Sequence, residues 1–448
     1  MGCVADSRWL RGAGTALLSL WWSTCGGDFA GIAVTIHQLP VGTTSVVVTP
    51  SVNGRNLVPE VFSTDIAGLQ DVTVGFHLHR SNLGSPVEFK IDARNDKSCV
   101  IATGDAKLTT DAVRRYDIQT SLNVVAATSA FSGNLFAVHG SQANDVWAVG
   151  GTGLAVHWDG CGWKQQQPSF TSATLLSVYV APRATGQTTP SQAWALDDTN
   201  SIWRFDGASW AKEFQLPATP TGRLAAIHGS SGADVWAVGT GLIQMGTSMV
   251  PSGCIIYHSN GQEWQAGNYC AGPATNIKTY SLNYVYAIDG QSAVAAGGAS
   301  ATQKVGFYKV GAWAPAPPLT MDSGGDASAI WASSAGDVWV GGPASLLHHY
   351  AGTTGQWTPD NSLQAGMSTN EFVYRLWGTA ATDVWAISFA PGLGKSRLFR
   401  YKGSWQQQTL TSPYAVVAGW SASSSDVWLV GYGAVRIHFD GQSFTEFR

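Results

Sequence analysis

The sequence predicts an all-β chain: a seven-bladed β-propeller preceded by a small immunoglobulin-like β-sandwich. Three observations predict it. One motif recurs seven times, at steps of 42 to 58 residues, and a fixed period of that length marks a repeat architecture. Each recurrence spells out four short strands. The stretch before the first recurrence alternates apolar and polar residues, the signature of half-buried strands.

The first segment, residues 1–24, reads as a secretory signal peptide. Arg8 and Arg11 precede an apolar run from Ala13 to Trp22, and Ser23-Thr24-Cys25-Gly26 follows. A basic start, a short apolar core and small residues at a cleavage point define such a leader. The run is shorter than the roughly twenty residues a membrane-spanning helix needs. The junction is similar to a bacterial lipoprotein site, which implies lipidation of Cys25, with residues 25–30 as an anchor linker. It departs from that pattern at Trp22 and Thr24, so plain secretion stands as the alternative. Met1-Gly2-Cys3 fails the myristoylation pattern because Asp6 occupies the hydroxyl position.

Residues 31–123 form the expected sandwich. Val72, Val74, Phe76 and Leu78 share one side of a strand, as do Val87, Phe89, Ile91 and Ala93. With Asn53-Gly54 as a turn, about seven strands are expected in antiparallel pairing. Its role is read as a spacer.

Residues 124–448 form the expected propeller. The motif is plainest as Asp145-Val-Trp-Ala-Val-Gly150, repeated as Asp234-Val-Trp236, Asp337-Val-Trp339, Asp383-Val-Trp385 and Asp426-Val-Trp428. Two worn copies, Gln192-Ala-Trp194 and Ser292-Ala-Val294, fill the gaps. Each unit begins with a strand such as Leu224-Ala-Ala-Ile-His228 and continues with the motif and a third strand such as Ile437-His-Phe439. It turns at Asp-Gly or Asn-Gly (159–160, 206–207, 260–261, 440–441) and closes on an aromatic residue. Such dipeptides between apolar runs signal hairpins with positive φ at both turn positions. Four antiparallel strands at this period make a propeller blade. The last unit is complete near the C-terminus, so ring closure is left open; a strand from Asn123-Val-Val-Ala126 is one option.

Of 20 tryptophans, 17 fall between Trp147 and Trp428. Their two columns are expected to pack between blades, each N–H reaching a backbone acceptor. The repeated Asp is expected to order the preceding turn by accepting backbone N–H bonds. Recurrence in five units marks a structural device, and the matched His157, His258, His349 and His438 read the same way.

On these motifs, residues 127–448 resemble the Asp-Val-Trp-Ala-Val-Gly propeller repeats of surface lipoproteins of GC-rich Gram-negative bacteria. Asp159-Gly-Cys-Gly-Trp163 and Asp206-Gly-Ala-Ser-Trp210 also resemble, more distantly, the Asp-box hairpins of sialidase-type propellers and the repeats of tectonin-type lectins. The resemblance implies an extracytoplasmic surface protein and names no activity.

Candidate chemistry is sparse. Charged residues make up 12% of the chain and the net charge is −4. Without residues 1–24, which carry two Arg and one Asp, it is −5. No basic patch suits nucleic acid. No hydrolase, zinc-protease or phosphate-loop motif occurs, and no metal or cofactor is expected. His77 and His79 share a strand face and read as solvated polar residues. Asp197-Asp-Thr-Asn200 reads as a turn, not a calcium loop. Among the cysteines, Cys254 and Cys270 flank one hairpin and are expected to pair, leaving Cys99 with Cys161 to tie the sandwich to the first blade.

One column suggests a ligand site. The first strands end in His139, Tyr179, His228, Tyr286, Trp331, Trp377 and Trp420. In a propeller these would ring the central channel, where flat faces stack on sugars; inter-blade packing is the competing reading. Insertions at Gly241–Gly253 and 296–305 are expected as Gly/Ser-rich recognition loops. The function expected is a non-enzymatic binding or adhesion scaffold at the cell surface, for a protein or glycan. The alternative is a glycosidase or lyase, which requires paired carboxylates.

Overall fold

The computed structural model describes residues 29–448 apart from 64–65, 67–68, 83, 111–114, 125–130, 167–168, 184–190, 219–220, 268–280, 299–304, 310, 320–324, 344–346, 364–370, 391–394 and 448. The expected leader, Cys25 and Cys270 lie outside the described residues.

The described chain is all-β. It divides into two units, one of residues 1–129 with 160–162, the other of 130–159 with 163–448. In the first unit, one sheet places Phe29–His37 between Val72–His79 and Arg115–Ser121. The second is built on Ser45–Val52, Pro86–Arg94 and Val100–Thr109, with shorter strands at its edges. Alternation sends Ile32, Val34 and Ile36 from one sheet, and Val46, Val48, Phe89 and Ile91 from the other, into one shared core. Two details differ from expectation. Phe29–His37 pairs parallel with Arg115–Ser121, because the chain crosses between sheets before returning. Asn123–Val124 pairs with Ala102 and Thr103 of this unit, so that strand is not available to close the repeat array. The Asn53-Gly54 turn has positive φ at both positions, as a two-residue hairpin requires.

In the second unit the described residues form seven four-stranded antiparallel sheets, each from four consecutive strands. They span 135–165, 175–215, 222–266, 281–315, 329–359, 372–408 and 416–447, called repeats 1 to 7 below. The first strand of each repeat packs against the first strand of the next, and that of repeat 7 packs against that of repeat 1.

Ring packing makes most of the 7-to-1 contact, beside a hydrogen bond from the Gly433 N–H to Asn134 Oδ1 at 3.0 Å, just before repeat 1. Trp428 lies edge-on to Trp163, with centroids 5.0 Å apart, and against Trp158 at 4.9 Å. The same edge-to-face pairing joins Trp147 to Trp210, Trp236 to Trp313, and Trp339 to Trp405. The two tryptophan columns therefore engage each other across neighbouring repeats. The N–H groups of Trp147, Trp163, Trp339, Trp385 and Trp428 have no hydrogen-bond acceptor among the described residues, contrary to expectation. These rings bury their area in the seam, and their edges meet ring faces or apolar side chains where no carbonyl reaches.

The glycine that ends the motif in repeats 1, 3, 4 and 7 is fixed by close approach. A Cβ on Gly150, Gly239, Gly297 or Gly431 would sit 1.8–2.0 Å from the carbonyl oxygen of Asn134, Arg223, Ser281 or Ala415. The Asp-Gly hairpins differ from the two-residue turn expected. Only the glycine has positive φ, and the loop spans four residues. Asp206 Oδ1 accepts from the N–H groups of Ala208 and Ser209, and Asp440 does so from Gln442 and Ser443. The side chain thus replaces the second turn distortion.

Gly241–Gly253 is ordered as a hairpin extension, not a loop: Leu242 pairs with Pro251 and Met245 with Ser248. Cys99 and Cys161 form the expected disulfide, and the tip 160–162 groups with the N-terminal unit. Cys254 is disulfide-bonded; its expected partner, Cys270, lies outside the described residues.

Candidate functional site

The repeated Asp meets mainly side chains, where backbone N–H partners had been expected; Asp145 also accepts from the Ser191 N–H at 2.9 Å. Opposite the second-strand tryptophan stands a third-strand His or Arg: Trp147 pairs with His157, Trp236 with His258, Trp339 with His349, Trp385 with Arg400, and Trp428 with His438. Each reaches the motif Asp. His157 Nε2 is 2.7 Å from Asp145 Oδ1, His258 Nε2 2.8 Å from Asp234 Oδ1, and His438 Nε2 2.9 Å from Asp426 Oδ1. His349 bonds Asp337, and Arg400 Nε donates to Asp383 at 2.7 Å. A hydroxyl donates to the other oxygen from Ser141, Ser230, Ser333 and Thr379. The imidazole stacks on the tryptophan, 3.9 Å apart for Trp236–His258 and 4.1 Å for Trp339–His349.

Electrostatics follow from this. Burial opposes ionisation of Asp145, yet hydrogen bonds from His157, Ser141 and the Ser191 N–H hold its carboxyl far below the usual range. Asp234 and Asp337 are shifted down against burial in the same way. These acids are occupied as acceptors. Asp197 is likewise a turn residue, accepting from Thr199, Ser201 and Trp203. Buried Glu371 is bonded by Ser388 and paired with Arg397 at 3.6 Å. His79 bonds Ser81 at 2.8 Å. Among the described residues no cluster of three His, Cys, Asp or Glu could hold a metal.

The aromatic column divides into two groups. Tyr179, Trp331 and Trp377 are 1%, 2% and 7% exposed, so they present no open face. They lie on glycines of the next repeat: a Cβ on Gly229, Gly378 or Gly419 would come within 2.8 Å of those rings. Trp420 sits on Gly140 in the same way, joining repeat 7 to repeat 1. His139, His228, Tyr286 and Trp420 are half-buried. His139 contacts Tyr179 at 5.2 Å, His228 at 5.3 Å and Trp420 at 6.0 Å; His228 contacts Tyr286 at 4.4 Å. Tyr286 in turn meets the Trp331 ring at 6.3 Å, so the structure brings the residues of repeats 1 to 5 and 7 into one cluster.

Backbone N–H groups fix the histidine tautomers. Val180 N–H donates to His139 Nδ1 and Ala287 N–H to His228 Nδ1, both at 3.1 Å. Each Nδ1 lone pair is used, so the neutral ring carries its proton on Nε2. Burial pushes His139 down to about 3 and His228 well below its ordinary value. Both rings are neutral donors at pH 7. Neither can ligate a metal through Nε2 without losing that proton.

Sequence reasoning passed over Arg375. Two residues before Trp377, it donates to Tyr284 Oη at 2.6 Å and lies against the Tyr284 and Tyr374 rings. Its only signal was being a lone charge where other repeats carry Ala, Ser or Tyr.

No family model matches the chain, and no curated protein matches it. Solved structures do. YCF48 bound to a D1 peptide is 14% identical, with a TM-score of 0.50 over 68% of this chain and 93% of that one. The GH74 xyloglucanase of Xanthomonas campestris is 12% identical, with a TM-score of 0.49 over 69% of this chain and 52% of that one. The Cps50 (Swd1) β-propeller domain of Myceliophteria thermophila is 10% identical, with a TM-score of 0.49 over 71% and 98%. At such identities the likeness concerns the fold alone: an all-β chain of four-stranded antiparallel sheets whose structural neighbours are β-propellers.

Proposed function

We propose that the chain is a non-enzymatic binding scaffold: a seven-bladed β-propeller behind an immunoglobulin-like β-sandwich, exported, held at the cell surface by lipid on Cys25, and recognising a protein or glycan. One observation carries this reading. The buried acids, Asp145, Asp234, Asp383 and Glu371, are each committed to structural hydrogen bonds or ion pairs. Paired carboxylates free for acid and base work are what a glycosidase would need. The cyclic packing of repeat 7 on repeat 1 supports the ring, and the Cys99–Cys161 disulfide accords with an oxidising compartment.

The test is a thermal-shift and product-release panel with glycans and surface proteins. A ligand at a hundredfold excess over Kd stabilises by about 2.7 kcal/mol, so a saturable shift without product release supports the scaffold. Sustained polysaccharide cleavage, lost in Glu371→Gln, would overturn it. Fractionation in a Gram-negative host checks the anchor: membrane association should be lost in Cys25→Ser.

A further inference from the structure

The N-terminal unit, read from sequence as a spacer, holds a recess of about 1050 Å³. Ile32 and Phe76 from one sheet, and Val52, Val87 and Phe89 from the other, form its apolar floor. Val52 and Phe76 remain 8% and 6% exposed, and at the mouth Leu57 and Val58 are 45% and 82% exposed. Apolar side chains left open beside an apolar recess mark a ligand site.

The mouth follows from the edge of the larger sheet. Arg55–Asn56 pairs with Ser51 and Val52, and Glu60–Phe62 pairs with Val46 to Val48. Between these two pieces the ladder lapses. The Leu57 N–H still reaches the Pro50 carbonyl at 2.8 Å, but Pro59 has no N–H to give, and Leu57, Val58 and Pro59 leave the strand. Asn53 Nδ2 braces the hairpin tip by donating to Ser85 Oγ at 3.1 Å. The same break disfavours an added peptide strand, because an interrupted edge that carries proline offers a poor ladder.

The rim sorts charge by position. Arg55 and Asn56 are exposed, and neither side chain has a hydrogen bond or ion pair among the described residues. The acid that lines the recess is Glu60. It stands opposite Val48, whereas Arg55 stands opposite Val52. Four residues of strand separate those positions by about 13 Å. An apolar floor with one unpaired cation at one end fits a molecule with an aliphatic body and an anionic head.

We propose that this recess binds a fatty acid, its alkyl chain against the floor, Leu57 and Val58, and its carboxylate at Arg55 and Asn56. The site lies wholly in the N-terminal unit and does not depend on the propeller reading.

The experiment is isothermal titration of the full chain with decanoate, hexanoate and decyltrimethylammonium. Saturable one-site binding of decanoate is expected. Each methylene that reaches the floor should tighten binding about threefold to fourfold, so hexanoate should bind at least about thirtyfold more weakly. Decyltrimethylammonium, the same chain with a cationic head, should bind at least about tenfold more weakly than decanoate. Arg55→Gln should weaken decanoate about tenfold and leave the melting temperature unchanged, since the side chain is exposed and unpaired. Val58→Asp should weaken it several-fold. Val61→Asp, at an exposed residue of the same segment that does not line the recess, should leave it unchanged. No saturable decanoate binding, equal affinity for hexanoate or for the cationic amphiphile, indifference to Arg55→Gln, or equal effects of Val58→Asp and Val61→Asp would each overturn the proposal.

Discussion

Repeats 3 and 4 are neighbours with different interiors. In repeat 3, Asp234 gathers Ser230, Trp236 and His258 into one hydrogen-bonded unit. Repeat 4 replaces Asp with Ser292, Trp with Val294 and His with Phe307, yet it pairs its four strands in the same order. Its second strand is as buried, from Ala293 to Ala296. Repeat 2 lies between: Gln192 stands in the Asp position, the Trp194 N–H turns to Glu213, and Arg204 lies over the ring. The polar unit is therefore not what makes a sheet. Period-two burial does that, since even the motif glycine is replaced, by Asp197 in repeat 2 and Ser388 in repeat 6, without changing the strand order. The polar unit adds a cost for error, because each buried partner needs the others.

The comparison can be broken most strongly at the seam both kinds of repeat share. Trp428→Ala should destabilise the protein by about 3–5 kcal/mol, read from urea unfolding monitored by fluorescence; a change under about 1 kcal/mol would mean that repeat 7 does not lean on repeat 1. Next comes Asp145→Ala, which strands His157 and Arg183. A loss of about 3 kcal/mol is expected, against about 1 or less for the more exposed Asp426→Ala. Equal losses would deny that burial sets the scale. Arg436 supplies the converse case. It is fully buried, its guanidinium nitrogens have no hydrogen-bond partner among the described residues, and its group lies 4.1 Å from the Phe131 ring. Burial lowers it to about 10. Arg436→Met should raise stability by about 1 kcal/mol or more; a lower melting temperature would contradict this.

Acid should act in two stages. His139 and His228 have folded values below the unfolded one of about 6.5, so the unfolded chain binds protons first and stability falls as pH drops below that point. Asp145, Asp234 and Asp337 are depressed below the ordinary carboxyl value. Their contribution is full above about pH 4 and is lost as pH falls below it. Chemical unfolding from pH 8 to 3 should show both stages, and Asp145→Asn should flatten the second. The smallest effect is a graft: Ser292→Asp with Phe307→His should change stability by less than about 1 kcal/mol, since the recipient core is already closed.

Much of this was legible in the chain. Trp and Asp recurring at fixed offsets marked the second strands, and Asp-Gly marked the hairpin ends. The partner of each Asp was also on the page. Asp145 and His157, Asp337 and His349, and Asp426 and His438 share one spacing, while the hairpin extension at Gly241–Gly253 hides it in repeat 3. Two columns were visible; that they touch required strand pairing. The cluster of first-strand rings was half legible. End-of-strand aromatics could be counted, but which rings lie sealed on a glycine and which stay open depends on the neighbouring repeat. The parallel pairing in the N-terminal unit left no local signal, because it joins segments distant in the chain.

The account rests on repeat 7 packing against repeat 1 through tryptophan contacts. A double-mutant cycle on Trp163→Phe and Trp428→Phe tests that most directly, because the two residues lie far apart in sequence. The predicted coupling energy is about 0.5–1.5 kcal/mol, as for an edge-to-face aromatic pair. Effects that add to within about 0.3 kcal/mol would show the rings independent and contradict the closure.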